Sequence, residues 1–123
     1  AVDTARRNGT DYIFTHGGTK QTDIKTMDWV KEINDRGGGE ILLTSMDHDG
    51  TKNGFACELT ASVSELVGIP VIASGGAGEA AHFLDVFTKG KADAALAASI
   101  FHFNTVPVPE LKNYLKTKNI PIR

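Results

Sequence analysis

The chain has 123 residues, 41% of them hydrophobic and 23% charged, the proportions of one ordinary globular domain. A formal net charge of -2 gives no electrostatic case for nucleic acid or for an anionic membrane as partner. Cys57 is the single cysteine, which excludes an intrachain disulfide and a cysteine metal cluster. No apolar run approaches the roughly 18 residues of a membrane span, and no segment has the pattern of a signal peptide. The cytoplasm is therefore the expected compartment.

The opening Ala1-Val2-Asp3 reads as the end of a strand, which predicts a fragment or a processed half of something longer. Thr4 to Gly9 is polar and carries a turn signal, so it is expected to be a loop. Asp11 to Thr15 favours a short strand within that loop, and His16 to Lys20 makes a flexible turn. Thr22 or Asp23 is placed to cap a helix with Met27, Val30 and Ile33 on one face and Trp29 beside them. That helix stops at Gly37-Gly38-Gly39.

Ile41 to Met46 is the next apolar strand, followed by the acidic, glycine-containing loop Asp47 to Gly54. Leu59, Val63, Leu66 and Val67 recur at helical spacing up to Gly68. Ile69 to Ser74 is apolar throughout, as a parallel strand covered on both faces should be. It runs into Gly75-Gly76-Ala77-Gly78, where three glycines let the backbone turn tightly and approach a ligand closely. Helical spacing resumes over Glu79 to Lys89, with Ala80, Phe83, Leu84 and Phe87 on one stripe. Its N-terminus is a candidate anion site. Ala92 to Ala98 is the last strand, ending on small residues before Ser99. Pro107 and Pro109 introduce a helix with Leu111, Tyr114 and Leu115 on one face.

Strand and helix thus alternate four times with short connections, which predicts a parallel α/β sheet. Asp3, Asp47, Asp49, Ser74 to Gly76 and Ser99 all fall at the C-terminal ends of strands, where α/β folds bind ligands. Two neighbouring strand ends, both small and donor-rich, suggest one phosphate pocket, although the same residues also suit tight strand-to-helix turns. Asp3 is positioned as a general acid or base, or as a cap for the loop backbone. Asp47 and Asp49 flank His48 in a turn and lack the separated ligand set of a metal site. His16, His48, His82 and His102 form no zinc-type pair, and His82 is expected on the surface. Either Thr44 or Ser45 should face the interior of a barrel or sheet. Arg6 and Arg7 are possible partners for a second phosphate. Cys57 has no neighbouring base to make it a nucleophile.

Three segments, Ile41-Leu-Leu-Thr-Ser-Met-Asp-His-Asp-Gly-Thr-Lys-Asn-Gly54, Ile69-Pro-Val-Ile-Ala-Ser-Gly-Gly-Ala-Gly78 and Ala92-Asp-Ala-Ala-Leu-Ala-Ala-Ser-Ile-Phe-His102, together resemble the cyclase subunit of imidazole glycerol phosphate synthase. The resemblance covers essentially all 123 residues but only strands five to eight of that family's (βα)8 TIM barrel. It implies a (βα)4 half-barrel over residues 1–123. The sister ribotide isomerase shares the phosphate loops. The continuation Thr51-Lys-Asn-Gly-Phe55, the segment Ser99-Ile-Phe-His-Phe103 and the ending Ile120-Pro-Ile-Arg123 resemble the cyclase instead.

The resemblance implies a lyase-type cyclisation in histidine biosynthesis, with no metal and no cofactor. Ammonia from a glutaminase subunit reacts with a bis-phosphorylated aminoimidazole carboxamide ribonucleotide to give imidazole glycerol phosphate and an aminoimidazole carboxamide ribotide. Asp3 matches one of the family's two acid–base aspartates. The other belongs to the N-terminal half-barrel, so this half alone is expected to be inactive. Gly75, Gly76, Ala98 and Ser99 match phosphate-binding positions, with Ser74 beside them, while Thr44 and Asp49 match positions lining the site. Ala56 departs from the acid usual there, as Cys57 does from an apolar residue and Asp23 from a glycine. The competing expectation is a non-catalytic, phosphate-binding half-barrel that pairs with a second copy of itself across its open sheet edges.

Overall fold

The computed structural model describes residues 1–123. Its six strands are β1 (Val2–Arg7), β2 (Thr10–Thr15), β3 (Lys20–Lys25), β4 (Ile41–Ser45), β5 (Val71–Ser74) and β6 (Ala94–Leu96). Its helices are α1 (Thr26–Asp35), α2 (Cys57–Leu66), α3 (Ala80–Thr88), α4 (Ser99–His102) and α5 (Val108–Thr117). The strands form one sheet in the order β3-β2-β1-β4-β5-β6. β1, β4, β5 and β6 pair in parallel, with helices between them. This is the α/β arrangement of consecutive βα units in a TIM barrel.

The buried face of each strand follows from alternation. Val2, Ile41, Leu43 and Val71 point to one side and pack with Val30 of α1 and Leu59 and Val63 of α2. Ala73 points the same way into a second cluster with Phe83 and Val86 of α3, Ile100 of α4, and Leu111 and Leu115 of α5. Burying each such Val or Leu side chain contributes about 1.5–3 kcal/mol. Leu42 and Ile72 lie on the opposite face, only half-buried. Both faces of β4 and β5 are therefore apolar in sequence although helices cover one of them.

α1 shows how local sequence ends an element. Gly37 takes φ +81°, its N–H donates to the Asn34 carbonyl, and the Gly38 N–H donates back to Ile33. These two bonds satisfy terminal carbonyls as a Schellman cap does.

The N-terminal region departs from expectation. Thr4 to Arg7 is not a loop: β1 continues to Arg7 and pairs antiparallel with β2, Asp3 opposite Phe14 and Arg7 opposite Thr10. Thr22 and Asp23 lie within β3 rather than capping a helix. The Thr22 hydroxyl instead donates to the Ile13 carbonyl across the hairpin. α1 begins at Thr26 after Lys25, which makes no side-chain cap. The unit before α1 is thus an antiparallel meander on the edge of the parallel sheet. Smaller differences occur elsewhere. α2 ends at Leu66, which is exposed, and Val67 takes extended backbone. β5 starts at Val71 and β6 spans only Ala94–Leu96. Ser99 opens the short α4.

The meander is tied to α1 by two buried hydroxyls. Thr4 and Thr26 are both 0% exposed, and their Oγ1 atoms are 2.6 Å apart. Each hydroxyl is the other's side-chain partner, so removing one strands the other away from water. Thr26→Val is expected to lower the unfolding free energy by about 1–3 kcal/mol. Thr4→Val with Thr26→Val should cost less than either change alone. A denaturant double-mutant cycle measures the coupling, and purely additive losses would contradict a paired role.

Candidate active-site face and anion pocket

Parallel pairing brings three predicted residues into one row. Asp3 is in register with Thr44, Thr44 with Ser74, and Ser74 with Leu96. Residues in register point to the same side of a sheet, and here it is the side away from the helices. Asp3, Thr44 and Ser74 are half-buried there, and Leu96 is 44% exposed. Ser45 points the opposite way, is 5% exposed, and its Oγ lies 2.8 Å from His48 Nδ1. Of the two neighbouring hydroxyls, Thr44 is the one on the open face.

Above this row a pocket of about 240 Å³ is lined by Asp49, Lys52, Ser74 to Ala77 and Leu96 to Ser99 among its residues. It brings together every predicted phosphate-binding position: Ser74, Gly75, Gly76, Ala98 and Ser99. The pocket exists because two loops meet backbone to backbone. The Gly54 N–H donates to the Gly76 carbonyl at 2.8 Å. A Cβ at Gly76 would overlap the Gly54 carbonyl, and one at Gly75 would stand 2.7 Å from the Ser45 carbonyl oxygen. Both glycines have left-handed φ, +93° and +105°. The amides of Gly75, Gly76, Ala97 and Ala98 donate to no group of the chain, and Ser99 opens a helix whose first N–H groups have no intrahelical acceptor. Converging free N–H groups suit an anion with several acceptor oxygens.

Two points were not legible from spacing. Lys52 lines the pocket, a placement its position in a turn does not signal. The N-terminus of α3, by contrast, does not line this pocket. The amides of Gly78 and Glu79 are turned onto His82 Nδ1 at 3.1 and 3.3 Å. His82 is accordingly half-buried rather than fully on the surface, its side chain being 17% exposed.

The charges around the meander pair with one another. Arg6 pairs with Asp11 at 2.7 Å, and this hydrogen bond and charge hold its guanidinium above the usual arginine range. Asp47 accepts from the Arg6 N–H at 2.6 Å and from Arg7 Nη1 at 3.0 Å, while Arg7 also lies over the Phe14 ring. Both arginines are thus engaged in ion pairs at the surface. Burial raises the Asp47 carboxyl, but the Arg6 amide and Arg7 outweigh it and hold the group below the usual carboxylate range. Burial, reinforced by Asp85, pushes the Cys57 thiol up, the wrong direction for a nucleophile. A larger cavity of about 430 Å³ is lined by these paired groups, with Ser45, His48 and Ala56. None of the row or phosphate residues reaches it. No three side chains of metal-binding type converge.

The sequence profile of the family described as "Histidine biosynthesis protein" matches residues 1–107. The chain belongs to this family. It is 62% identical over 123 residues to imidazole glycerol phosphate synthase subunit HisF of Cytophaga hutchinsonii, covering all of this chain and 49% of the relative. It is 63% identical over 108 residues to the subunit of the same name from Methanosphaera stadtmanae, covering 88% and 39%. The Acidobacterium capsulatum subunit is 59% identical over 124 residues, covering 100% and 49%. The chain thus spans about half the length of the curated relatives it matches.

Ala56 is the N-cap of α2 and offers no side-chain cap. It lies off the pocket lined by Ser74 to Ala77 and instead lines the cavity of about 430 Å³. No helix is long and apolar enough to cross a membrane.

Two measurements probe this site. Gly76→Ala places a Cβ against the Gly54 backbone at a left-handed φ, so stability should fall by about 3 kcal/mol. Gly39→Ala meets no atom within 4 Å and should stay within about 0.5 kcal/mol of the parent. Asp47 binds fewer protons folded than unfolded at mildly acid pH, so its contribution is present above the ordinary carboxylate pKa and lost as pH falls through its lowered folded value. Asp47→Asn should flatten the acid limb of a stability–pH curve, and an unchanged limb would show that these bonds do not couple to folding.

Proposed function

We propose that this chain supplies strands five to eight, the C-terminal half, of an imidazole glycerol phosphate synthase cyclase barrel. The observation that carries the reading is the single face on which Asp3, Thr44 and Ser74 align beneath a pocket of free backbone amides. The relatives at 59–63% identity bear the synthase subunit name, which supports the cyclase over the sister isomerase.

In this reading the pocket amides of Gly75, Gly76, Ala98 and Ser99, with Ser74 and Lys52, take one phosphate of the bis-phosphorylated aminoimidazole carboxamide ribonucleotide. Thr44 and Asp49 contact the substrate between that phosphate and the reacting centre. Asp3 is the acid–base group of this half. No hydrogen bond or ion pair of the chain occupies its carboxylate, so it is available to move a proton on the substrate. Ammonia from a glutaminase subunit adds, the substrate is cleaved, and the imidazole ring closes to give imidazole glycerol phosphate and the carboxamide ribotide. The second aspartate and second phosphate site come from the N-terminal half, which covers Leu42, Ile72 and Leu96. The lone half therefore has no turnover, and the reaction takes place in the cytoplasm.

The test uses this chain together with the N-terminal half and ammonia as nitrogen source. Asp3→Asn should lower turnover by about 10²–10⁴-fold and leave inorganic phosphate binding within about twofold. Retained turnover would overturn the role of Asp3. Loss of phosphate binding as well would mean that the substitution acts through folding.

A further inference from the structure

His82 lies outside the anion pocket yet holds the strand-to-helix turn that builds it. It is the third residue of α3, and its ring turns back over the loop. Nδ1 receives two consecutive backbone N–H groups, Gly78 at 3.1 Å and Glu79 at 3.3 Å. Nδ1 can accept only through its lone pair, so the ring proton sits on Nε2. Nε2 faces Glu79 Oε1 at 3.8 Å, beyond a hydrogen bond. One imidazole nitrogen therefore closes the end of the glycine turn.

The same ring also stands where the two pocket loops meet. A Cβ on Gly54 would be 3.5 Å from His82 Cδ2, and the Gly54 N–H is the donor to the Gly76 carbonyl. A Cβ on Gly78 would overlap the Lys52 carbonyl, so the residue whose amide His82 accepts is packed against the backbone of the pocket's lysine. Orientation thus passes from His82 to Gly78 and Glu79, then to the Gly75–Gly76 amides and to Lys52, without His82 touching an anion.

We propose that His82 is a positioning residue for the anion pocket, its Nδ1 setting the turn that aims the Gly75 and Gly76 amides. This rests on the reading of the pocket as a phosphate site. It assigns phosphate affinity partly to a side chain that never contacts phosphate.

The experiment is a titration of the chain with inorganic phosphate, followed at the Gly75 and Gly76 amide resonances. Gly54 amide exchange without phosphate is measured in parallel. In His82→Ala, phosphate affinity should fall about tenfold and Gly54 should exchange about tenfold faster, one order of magnitude being near the 1.4 kcal/mol of a modest hydrogen-bond loss. In His82→Asn, the side-chain carbonyl can accept where Nδ1 does, and both quantities should stay within about threefold of the parent. A His82→Ala protein with parental affinity and exchange overturns the proposal. So does a folded His82→Asn protein as impaired as His82→Ala, since any side chain filling the space would then be at issue rather than its acceptor. If the parent's Gly75 and Gly76 signals ignore phosphate, the phosphate reading itself fails. The proposal then falls with it, while Gly54 exchange separately reports whether His82 organises the turn.

Discussion

The site depends on one backbone contact, the hydrogen bond from Gly54 to the Gly76 carbonyl where two loops cross. Its geometry leaves no room for a Cβ at Gly76, so two chain segments approach as bare backbone and still leave the neighbouring amides unpaired. A buried amide without a partner is costly. An amide facing an open pocket is solvated instead, and the same strict spacing that makes the turn intolerant of substitution keeps these donors open. Lys52 and Asp49 come to the pocket by way of this crossing, because they belong to the loop that Gly76 meets.

The second organising constraint is parallel register. Asp3, Thr44 and Ser74 are far apart in the chain and fall in one row because each ends its strand at the same height. Packing sets that height. Val2, Leu43 and Ala73, one residue earlier in each strand, are buried beneath the helices at 2–3% exposure. A slip of one residue would bury the polar row and expose the core. Core and site are two faces of one register, and the hydrophobic contribution of one holds the alignment of the other.

The meander at the start of the sheet plays a different part. Arg6, Arg7, Asp11 and Asp47 neutralise one another around it, and Thr4 with Thr26 anchors it to α1. These are structural charges and hydroxyls. The cavity of about 430 Å³ beside them is lined by Arg6, Asp11 and Asp47, whereas the pocket of about 240 Å³ is lined by backbone amides without acceptors.

Local sequence determined much of this protein. Apolar runs and helical stripes placed β4, β5, α2, α3 and α5 close to their true limits, and the glycines after Ser74 marked a tight turn, because these signals are carried by neighbouring residues. Asp3, Thr44, Asp49, Ala98 and Ser99 were singled out by strand-end position and by motifs resembling one family, and the fold sets Asp3 beside Thr44, and Asp49 in one pocket with Ala98 and Ser99. Tertiary structure decided the remainder. β3 has mostly exposed positions and little apolar alternation, so only its pairing with β2 makes it a strand. Leu66 follows helical spacing yet is exposed, because the helix turns that position away from the sheet. Lys52 entered the pocket, Arg6 and Arg7 were withdrawn into ion pairs, and His82 moved from an expected surface to the support of the glycine turn. Each of those outcomes depends on a partner distant in sequence or on the direction of a side chain, and neither is written in local periodicity.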